Sequence, residues 1–266
     1  MKRTFAIALN TYRETIRDRV VWVVFGFALL LVLASNLIAF MGTPDKHSDP
    51  LMLFHGIGIK IVGDVGLSGI WALSALIAVF IGTGMIHKEI DKRTVYTVLA
   101  RPVLRAEFIL GKYLGLLTTI ALLMTGMSAF FLGHYALSGG RIDLALSQAL
   151  LMTFVEIAVV AALAVCFGAI GSPVLSAIMT FFATLAGHMA PDIVELTLIG
   201  DFESLRGPFY AAYLLVPHLH LFNLRDIAVH HEPQSFSLIA AHIAYAVILI
   251  ICLLGIALLA FRRRNL

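Results

Sequence analysis

Long runs of apolar residues without a charge are the feature that most constrains this chain. Residues 20–41 and 67–86 contain no Asp, Glu, Lys or Arg, and comparable runs recur toward the carboxyl terminus. An α-helix needs about 20 such residues to cross roughly 30 Å of hydrocarbon. Only 13% of the 266 residues are charged, whereas a soluble domain usually carries about 25%. The sequence therefore predicts a membrane protein and excludes a soluble domain.

The distribution of these runs predicts an all-α membrane protein with a single transmembrane domain, residues 1–266, and about six transmembrane helices. The Gly-Ala-Ile-Gly-Ser-Pro sequence at 168–173 divides one long apolar stretch into two spans, because it favours a break. The predicted spans are residues 20–41, 67–86, 113–134, 144–167, 174–191 and 237–261. Residues 43–66 mix charged and apolar side chains, which predicts an interfacial loop.

Two further segments are predicted to lie at the membrane surface. In residues 4–19, one helical face carries the apolar residues Phe5, Leu9, Tyr12 and Ile16, which predicts an amphipathic helix in the headgroup layer. The long outer loop at 193–234 contains a semi-apolar stretch, residues 208–217, with a proline at each end. This stretch is too short to span the bilayer, so it predicts a re-entrant or interfacial half-helix before the last span.

The basic residues set the orientation, because cytoplasmic loops carry an excess of Lys and Arg. If both termini and the loop at 87–112 share one side, that side collects fourteen of the nineteen basic residues. The other five lie on the outer side: Lys46, Lys60, Arg141, Arg206 and Arg225. Both termini are therefore predicted to be cytoplasmic. The net charge of +3 gives no indication of nucleic-acid binding, since the positive residues cluster at segment ends.

The cytoplasmic loop at 87–112 is the most informative stretch. A charged exit from the second span is followed by a predicted short helix from Thr94 to Leu99, and Pro102 ends that helix. A short helix tied to two spans can transmit force between a soluble partner and the bilayer. Val95, Val98 and Leu99 share one face of this helix and are expected to contact such a partner.

This loop resembles that of the permease subunits of ABC transporters of the second exporter type. The family pattern is E-x-E-x-G-T, four residues, Leu, two residues, Pro, two residues, Arg, then Gly-Lys. The matching positions are Glu89, Asp91, Thr94, Leu99, Pro102, Arg105, Gly111 and Lys112. Asp91 stands for the second Glu, and Arg93 replaces the usual glycine. In that family the segment is the coupling helix, which docks on the nucleotide-binding subunit.

The resemblance implies a permease subunit in the bacterial inner membrane that works with a partner ABC ATPase. It also implies a second permease, either an identical copy or a related chain. The chain has no Gly-x-x-x-x-Gly-Lys-Ser/Thr sequence, so ATP and Mg²⁺ are expected on the partner and no enzyme activity is expected here. Two alternatives stay open: an intramembrane metal-dependent enzyme, and a membrane scaffold that is coupled to an ATPase without transporting anything.

Ten histidines are many for this length, and four lie in the outer loop: His218, His220, His230 and His231. Imidazoles on the outer side of a membrane protein can bind copper or zinc, but histidine at headgroup depth is the simpler interpretation. Cys166 and Cys252 lie within apolar runs and have no metal-ligand spacing. No metal site is therefore predicted, and the four histidines are the candidates if one exists.

Glu156 is the only charged residue between Asp143 and Asp192. An ionisable group at membrane depth is costly and usually faces a polar cavity or a partner. Glu156 is therefore expected either to line the transport path or to pair at a subunit interface.

Overall fold

The computed structural model describes residues 2–41, 58–91, 104–199, 207, 213, 216–230 and 232–263. Within these ranges all regular secondary structure is helical. The helices are α1 (Lys2–Ile16), α2 (Arg19–Met41), α3 (Ile59–Asp91), α4 (Arg105–Leu137), α5 (Leu144–Ile170), α6 (Pro173–Ile199), α7 (Arg225–Val229) and α8 (Phe236–Arg263). A 3-10 turn at Leu219–Phe222 precedes α7. The prediction of an all-helical membrane protein is confirmed.

Among the described residues, five helices are long and apolar enough to cross a membrane, namely α3 to α6 and α8. A sixth crossing is added when Thr4–Ile16 and Arg19–Ser35, which meet at an angle of 63°, are counted as one bent span. The bend lies where the sequence analysis separates an N-terminal surface helix from the first span.

Helices α3 and α4 extend into the segments that the sequence analysis assigned to loops. Each has 33 residues and is therefore roughly 50 Å long at 1.5 Å per residue. Helix α3 begins at Ile59, so the prediction that all of 43–66 is a loop is wrong for its last residues. Helix α3 ends at Asp91 and α4 begins at Arg105, so the predicted loop at 87–112 is helical at both ends. The backbone hydrogen bonds of a helix continue through polar residues, which is why hydropathy alone made both helices too short.

Helix α5 lies at the centre of the bundle, and it packs against α3, α4, α6 and α8. Its closest contact with α3 involves glycines on both helices. A Cβ atom at Gly82 would lie 2.7 Å from the Ala164 Cβ, and one at Gly168 would lie 3.0 Å from the Thr83 carbonyl oxygen. Lipid supplies no hydrophobic force between spans, so transmembrane helices associate largely through close packing. Small residues allow this close packing.

Helix α1 packs on the first turns of α4 through small residues. A Cβ atom at Gly111 would lie 2.8 Å from the Ile7 Cβ, and one at Gly115 would lie 2.5 Å from the Ala8 carbonyl oxygen. Of the apolar face predicted for α1, Phe5 and Leu9 are exposed, whereas Tyr12 and Ile16 are half-buried.

The N-terminal helix, the start of α4 and the end of α8 share one end of the bundle. The Arg105 Nη1 atom donates a hydrogen bond of 3.2 Å to the Phe261 carbonyl oxygen, and the Phe108 and Phe261 rings stack with centroids 5.7 Å apart. At the break near that same end, α5 ends at Ile170 and α6 begins at Pro173, where the fixed φ of proline suits a first helical position.

The predicted re-entrant segment at 208–217 lies largely outside the described residues. Residues 216–230 are described, and they fold inward: the 3-10 turn packs on α5 and α6, and α7 packs on α3 and α5. This inward packing brings Arg225, at the start of α7, into the bundle.

Candidate functional site: a buried charge cluster beside an apolar groove

Glu156 is fully buried, and three side chains from different elements surround its carboxylate. The Trp71 Nε1 atom of α3 donates a hydrogen bond to Oε1. The His188 Nε2 atom of α6 lies 2.8 Å from the same oxygen. The Arg225 Nη1 atom, from the first residue of α7, lies 3.5 Å from Oε2. The structure thus gives Glu156 partners from within its own chain.

The side chains around Glu156 also contact one another. The Arg225 guanidinium carbon lies 4.6 Å from the centre of the Trp71 ring, a distance at which the cation is attracted to the ring face. The Trp71 and His188 rings meet edge to face, with centroids 5.2 Å apart. A buried carboxylate is costly unless it is paired and hydrogen-bonded. Arg225 supplies the countercharge beside Oε2, and Trp71 and His188 contact Oε1, whereas Oε2 makes no hydrogen bond among the described residues.

A close backbone approach holds the outer segment in place next to this cluster. A Cβ atom at Gly187 would lie 2.5 Å from the Pro217 carbonyl oxygen and 2.8 Å from the Leu219 Cγ. Glycine is therefore required where α6 meets the segment that leads to α7. His188, which contacts Glu156 Oε1, is the next residue of α6, so the segment that leads to α7 meets α6 directly beside the cluster.

A groove of about 830 Å³ opens between α3 and α6 beside the cluster. Its polar end is formed by Trp71, His188 and Arg225, and its other end by Thr83 and Pro173. The residues that line it in between are uncharged and almost all apolar. Glu156 does not line the groove, so the acid lies behind the side chains that it binds.

The family of the chain follows from a match over nearly its whole length. The family model described as "ABC-2 family transporter protein" matches residues 5–266. The chain belongs to the ABC-2 transporter family. It is therefore a membrane permease of an ABC transporter, and the resemblance that the loop at 87–112 suggested is confirmed. No curated protein sequence matches this permease significantly.

The residues of the ABC-2 loop pattern are described only in part. Glu89 and Asp91 lie on the last turn of α3, and their side chains are outside the described set. The middle of the pattern lies outside the described residues: Thr94, Val95, Val98, Leu99 and Pro102. Arg105 begins α4 and binds the carbonyl of Phe261, so this residue of the pattern joins two helices of the permease.

The Gly-Lys pair at the end of the pattern contacts the N-terminal helix of the permease. Gly111 permits the close approach of Ile7, and the Lys112 side chain, 3% exposed, forms an ion pair of 3.8 Å with Glu14. The Lys112 ammonium also lies 5.9 Å from the Phe108 ring centre. These contacts give the last two residues of the pattern a structural role within the chain.

The candidate metal-binding histidines have other neighbours in the described part of the permease. The His218 backbone N–H donates to the Tyr245 hydroxyl at 3.1 Å, and the His230 Nδ1 atom lies 2.9 Å from the Asp226 carbonyl oxygen. Burial lowers the pKa of His220, because it disfavours the charged imidazolium. His231 lies outside the described residues. Within the described ranges, no three His, Cys, Asp or Glu side chains are grouped so that they could hold a metal ion.

Sequence reasoning singled out Glu156 but did not name its partners. Trp71 carries no charge and lies in a predicted span, and Arg225 was counted only as an outer-loop basic residue. One feature of the sequence would have indicated Arg225. Between Arg141 and Arg262 the only Lys or Arg residues are Arg206 and Arg225, so a countercharge for Glu156 from that half of the chain has two candidates.

Proposed function

We propose that this ABC-2 permease couples ATP hydrolysis by a separate ABC ATPase to the export of a substrate across the bacterial inner membrane. In this proposal the ATPase binds ATP and Mg²⁺ and docks on the loop at 87–112. A second permease, identical or related, completes the transporter. Both termini and this loop face the cytoplasm, where fourteen of the nineteen basic residues then lie.

The contacts at the downstream end of the loop are the observation that carries this proposal. Helix α4 begins at Arg105, which is bound to the end of α8, and its next turns are packed against α1. The Leu104 N–H donates to the Glu107 carboxylate at 3.1 Å, which caps the first turn of α4. A loop that merely reverses the chain direction would not need its exit fixed to two other helices.

The upstream end of the loop leads directly to the groove. Helix α3 runs without a described break from Ile59 to Asp91, and it carries Trp71 and one wall of the groove. Movement of the loop would therefore shift α3 against α4, which is held by α1 and α8. Such a shift changes the width of the groove and the geometry around Glu156, as alternating access requires.

The experiment that tests this proposal is co-purification of the permease with a P-loop ATPase, followed by measurement of ATP hydrolysis in vesicles. We expect a stable complex whose hydrolysis rate depends on the permease and rises with transported substrate. A stable complex that never moves a solute would favour the scaffold alternative. The absence of any ATPase complex would contradict the proposal.

A further inference from the structure

Titratable side chains of decreasing exposure lead along α6 to Glu156. Asp192 is exposed at the last residue of the membrane-crossing part of α6, which is the outer end in the orientation proposed above. His188 lies one helical turn before Asp192 on the same face, and its side chain is 17% exposed. The His188 Nε2 atom lies 2.8 Å from the fully buried Glu156 carboxylate. A proton from the outer side therefore has a short series of acceptors that ends beside the buried acid.

The titratable or charged groups near His188 and its neighbour His220 come from each element packed around them: Glu156 of α5, Arg225 of α7, Asp192 of α6 itself, and His218 and His220 of the segment that precedes α7. Helix α3 adds Trp71, which is uncharged. Burial lowers the pKa of His220, because it disfavours the imidazolium. His188 is therefore the imidazole that is placed to carry a proton beside the carboxylate.

Arg225 and His188 contact different oxygens of the Glu156 carboxylate. Oε1 has the His188 and Trp71 contacts, whereas Oε2 lies 3.5 Å from the Arg225 Nη1 atom. Neither Oε2 nor Nη1 makes a hydrogen bond within the described ranges. A protonated His188 would hold a charge-assisted hydrogen bond to Oε1, which is roughly twice as strong as a neutral one. Two cations would then share one buried anion, which is costly, and the more distant cation, Arg225, is displaced more easily.

We propose that His188 takes up a proton from the outer side and replaces Arg225 as the countercharge of Glu156, which shifts α7 from its packed position toward a detached one. The proton passes from water at Asp192 to the His188 Nδ1 atom, the ring nitrogen that does not contact Glu156, and no other covalent bond changes. Arg225 is the first residue of α7, a helix of five residues, so α7 loses its charged attachment to α5. That this step regulates transport rests on the proposed function, whereas proton uptake itself requires no ATPase.

A second titratable group near α7 predicts the opposite response to acid. His230 follows the last residue of α7, where a positive charge is favourable, and its Nδ1 atom lies 2.9 Å from the Asp226 carbonyl oxygen. Asp64 of α3 attracts a positive charge on His230. Protonation of His230 would therefore hold α7 more firmly against α3. The direction of the pH effect thus distinguishes His188 from His230.

The test is hydrogen–deuterium exchange of the full-length permease in detergent, measured by mass spectrometry at about pH 8 and about pH 5, the range in which histidine changes charge. Rates are corrected for the intrinsic pH dependence of amide exchange. The readout is α7, in which the Ala228 N–H donates to the Leu224 carbonyl oxygen at 2.9 Å. We expect wild-type α7 to exchange about tenfold faster in acid, because its opening equilibrium shifts with the charge of one group. Exchange at the centre of α5 should be unchanged.

His188→Gln separates proton uptake from the hydrogen bond to Glu156. The glutamine amide can donate to Oε1 but takes up no proton, so the acid effect should disappear. His134→Gln is the matched control, because His134 lies on α4 outside the cluster, and it should respond like wild type. Glu156→Gln/Arg225→Gln removes the competition between the two cations and should also lose the acid effect, although His188 is intact.

The wild-type measurement can overturn the proposal without any variant, if α7 exchanges equally at both pH values or more slowly in acid. An acid effect that persists in His188→Gln but disappears in His220→Gln or His230→Gln would also overturn it, because the proton would then act at another imidazole. Failure of the permease to assemble with an ATPase would contradict the proposed function and leave these exchange results standing.

Discussion

The Arg225 guanidinium lies 3.5 Å from the Glu156 carboxylate, so the first residue of the short helix α7 is joined to the centre of the most buried span. Both side chains are at least nine-tenths buried. The loop segment that carries Arg225 is therefore part of the bundle core. The ion pair also explains how a carboxylate can lie within α5 among apolar neighbours.

Removal of Arg225 alone should destabilise the permease strongly. Arg225→Gln leaves a buried carboxylate without its countercharge, which typically costs about 3 kcal/mol or more. Glu156→Gln/Arg225→Gln should restore most of this loss, because neither charge is then left alone. Thermal unfolding in detergent measures both variants, and Arg141→Gln, at an exposed outer residue, is the control. If Arg225→Gln unfolds at the same temperature as wild type, the pair has no structural role.

A methyl group at Gly187 should displace the segment that carries Arg225. The added Cβ would meet the Pro217 carbonyl oxygen at 2.5 Å, and a backbone atom cannot turn aside as a flexible side chain can. Overpacking of this kind costs about 1–3 kcal/mol. Gly187→Ala should therefore lower the thermal midpoint in detergent. Gly133→Ala is the matched control, since nothing lies within 4 Å of its added Cβ, and it should unfold no earlier than wild type.

The attachment of α1 to α4 depends on Gly115. A side chain there would meet the Ala8 carbonyl oxygen at 2.5 Å and the Thr11 Cβ at 2.6 Å. We expect Gly115→Val to release α1 from α4, because the valine side chain would keep the two helix backbones apart. Limited proteolysis with trypsin reports this as several-fold faster cleavage at Arg13 and Arg17. Gly133→Val should be cleaved like wild type, and equal cleavage of both variants would show that α1 is held by other contacts.

Replacement of the outer histidines should leave folding intact. Alanine at His218, His220, His230 and His231 removes ring contacts with Tyr245 and the backbone, but we expect no change in bound metal. Elemental analysis of the purified protein is the measurement. Stoichiometric copper or zinc in wild type that disappears in the fourfold variant would favour the metal-dependent alternative.

Most of the helices could be predicted from local features of the sequence. The uncharged run at 67–86 marks a span by itself, and Pro173 marks the start of α6 because proline is favoured at the first helical position. The helix ends at Ile59 and Asp91 were not predictable from hydropathy. Helical backbone hydrogen bonds continue through polar residues, so the end of an apolar run does not mark the end of a helix. The partners of Glu156 were not predictable either. Trp71 and His188 meet it only through the packing of three spans, and no local pattern records that packing.

Leu99 carries the most important prediction, because it tests the coupling of this permease to an ATPase. The apolar face of the predicted helix, Val95, Val98 and Leu99, should dock in a groove of the ATPase. Buried apolar anchors usually dominate such interfaces, whereas charges at the rim contribute little. Leu99→Asp should therefore weaken assembly by roughly 2–4 kcal/mol, the usual range for a residue at the centre of an interface.

The measurement for Leu99→Asp is pull-down of the ATPase together with its permease-dependent ATP hydrolysis. Arg93→Gly is the matched control, because it restores the glycine of the family pattern in the same loop and should be nearly silent. The contacts of Arg105 with Phe261 are unaffected by either change, so α4 should remain in place in both variants. A Leu99→Asp permease that binds and stimulates the ATPase like wild type would show that the loop at 87–112 only connects two spans. The proposed coupling would then lose its main support, although the membership of the chain in the ABC-2 family would stand.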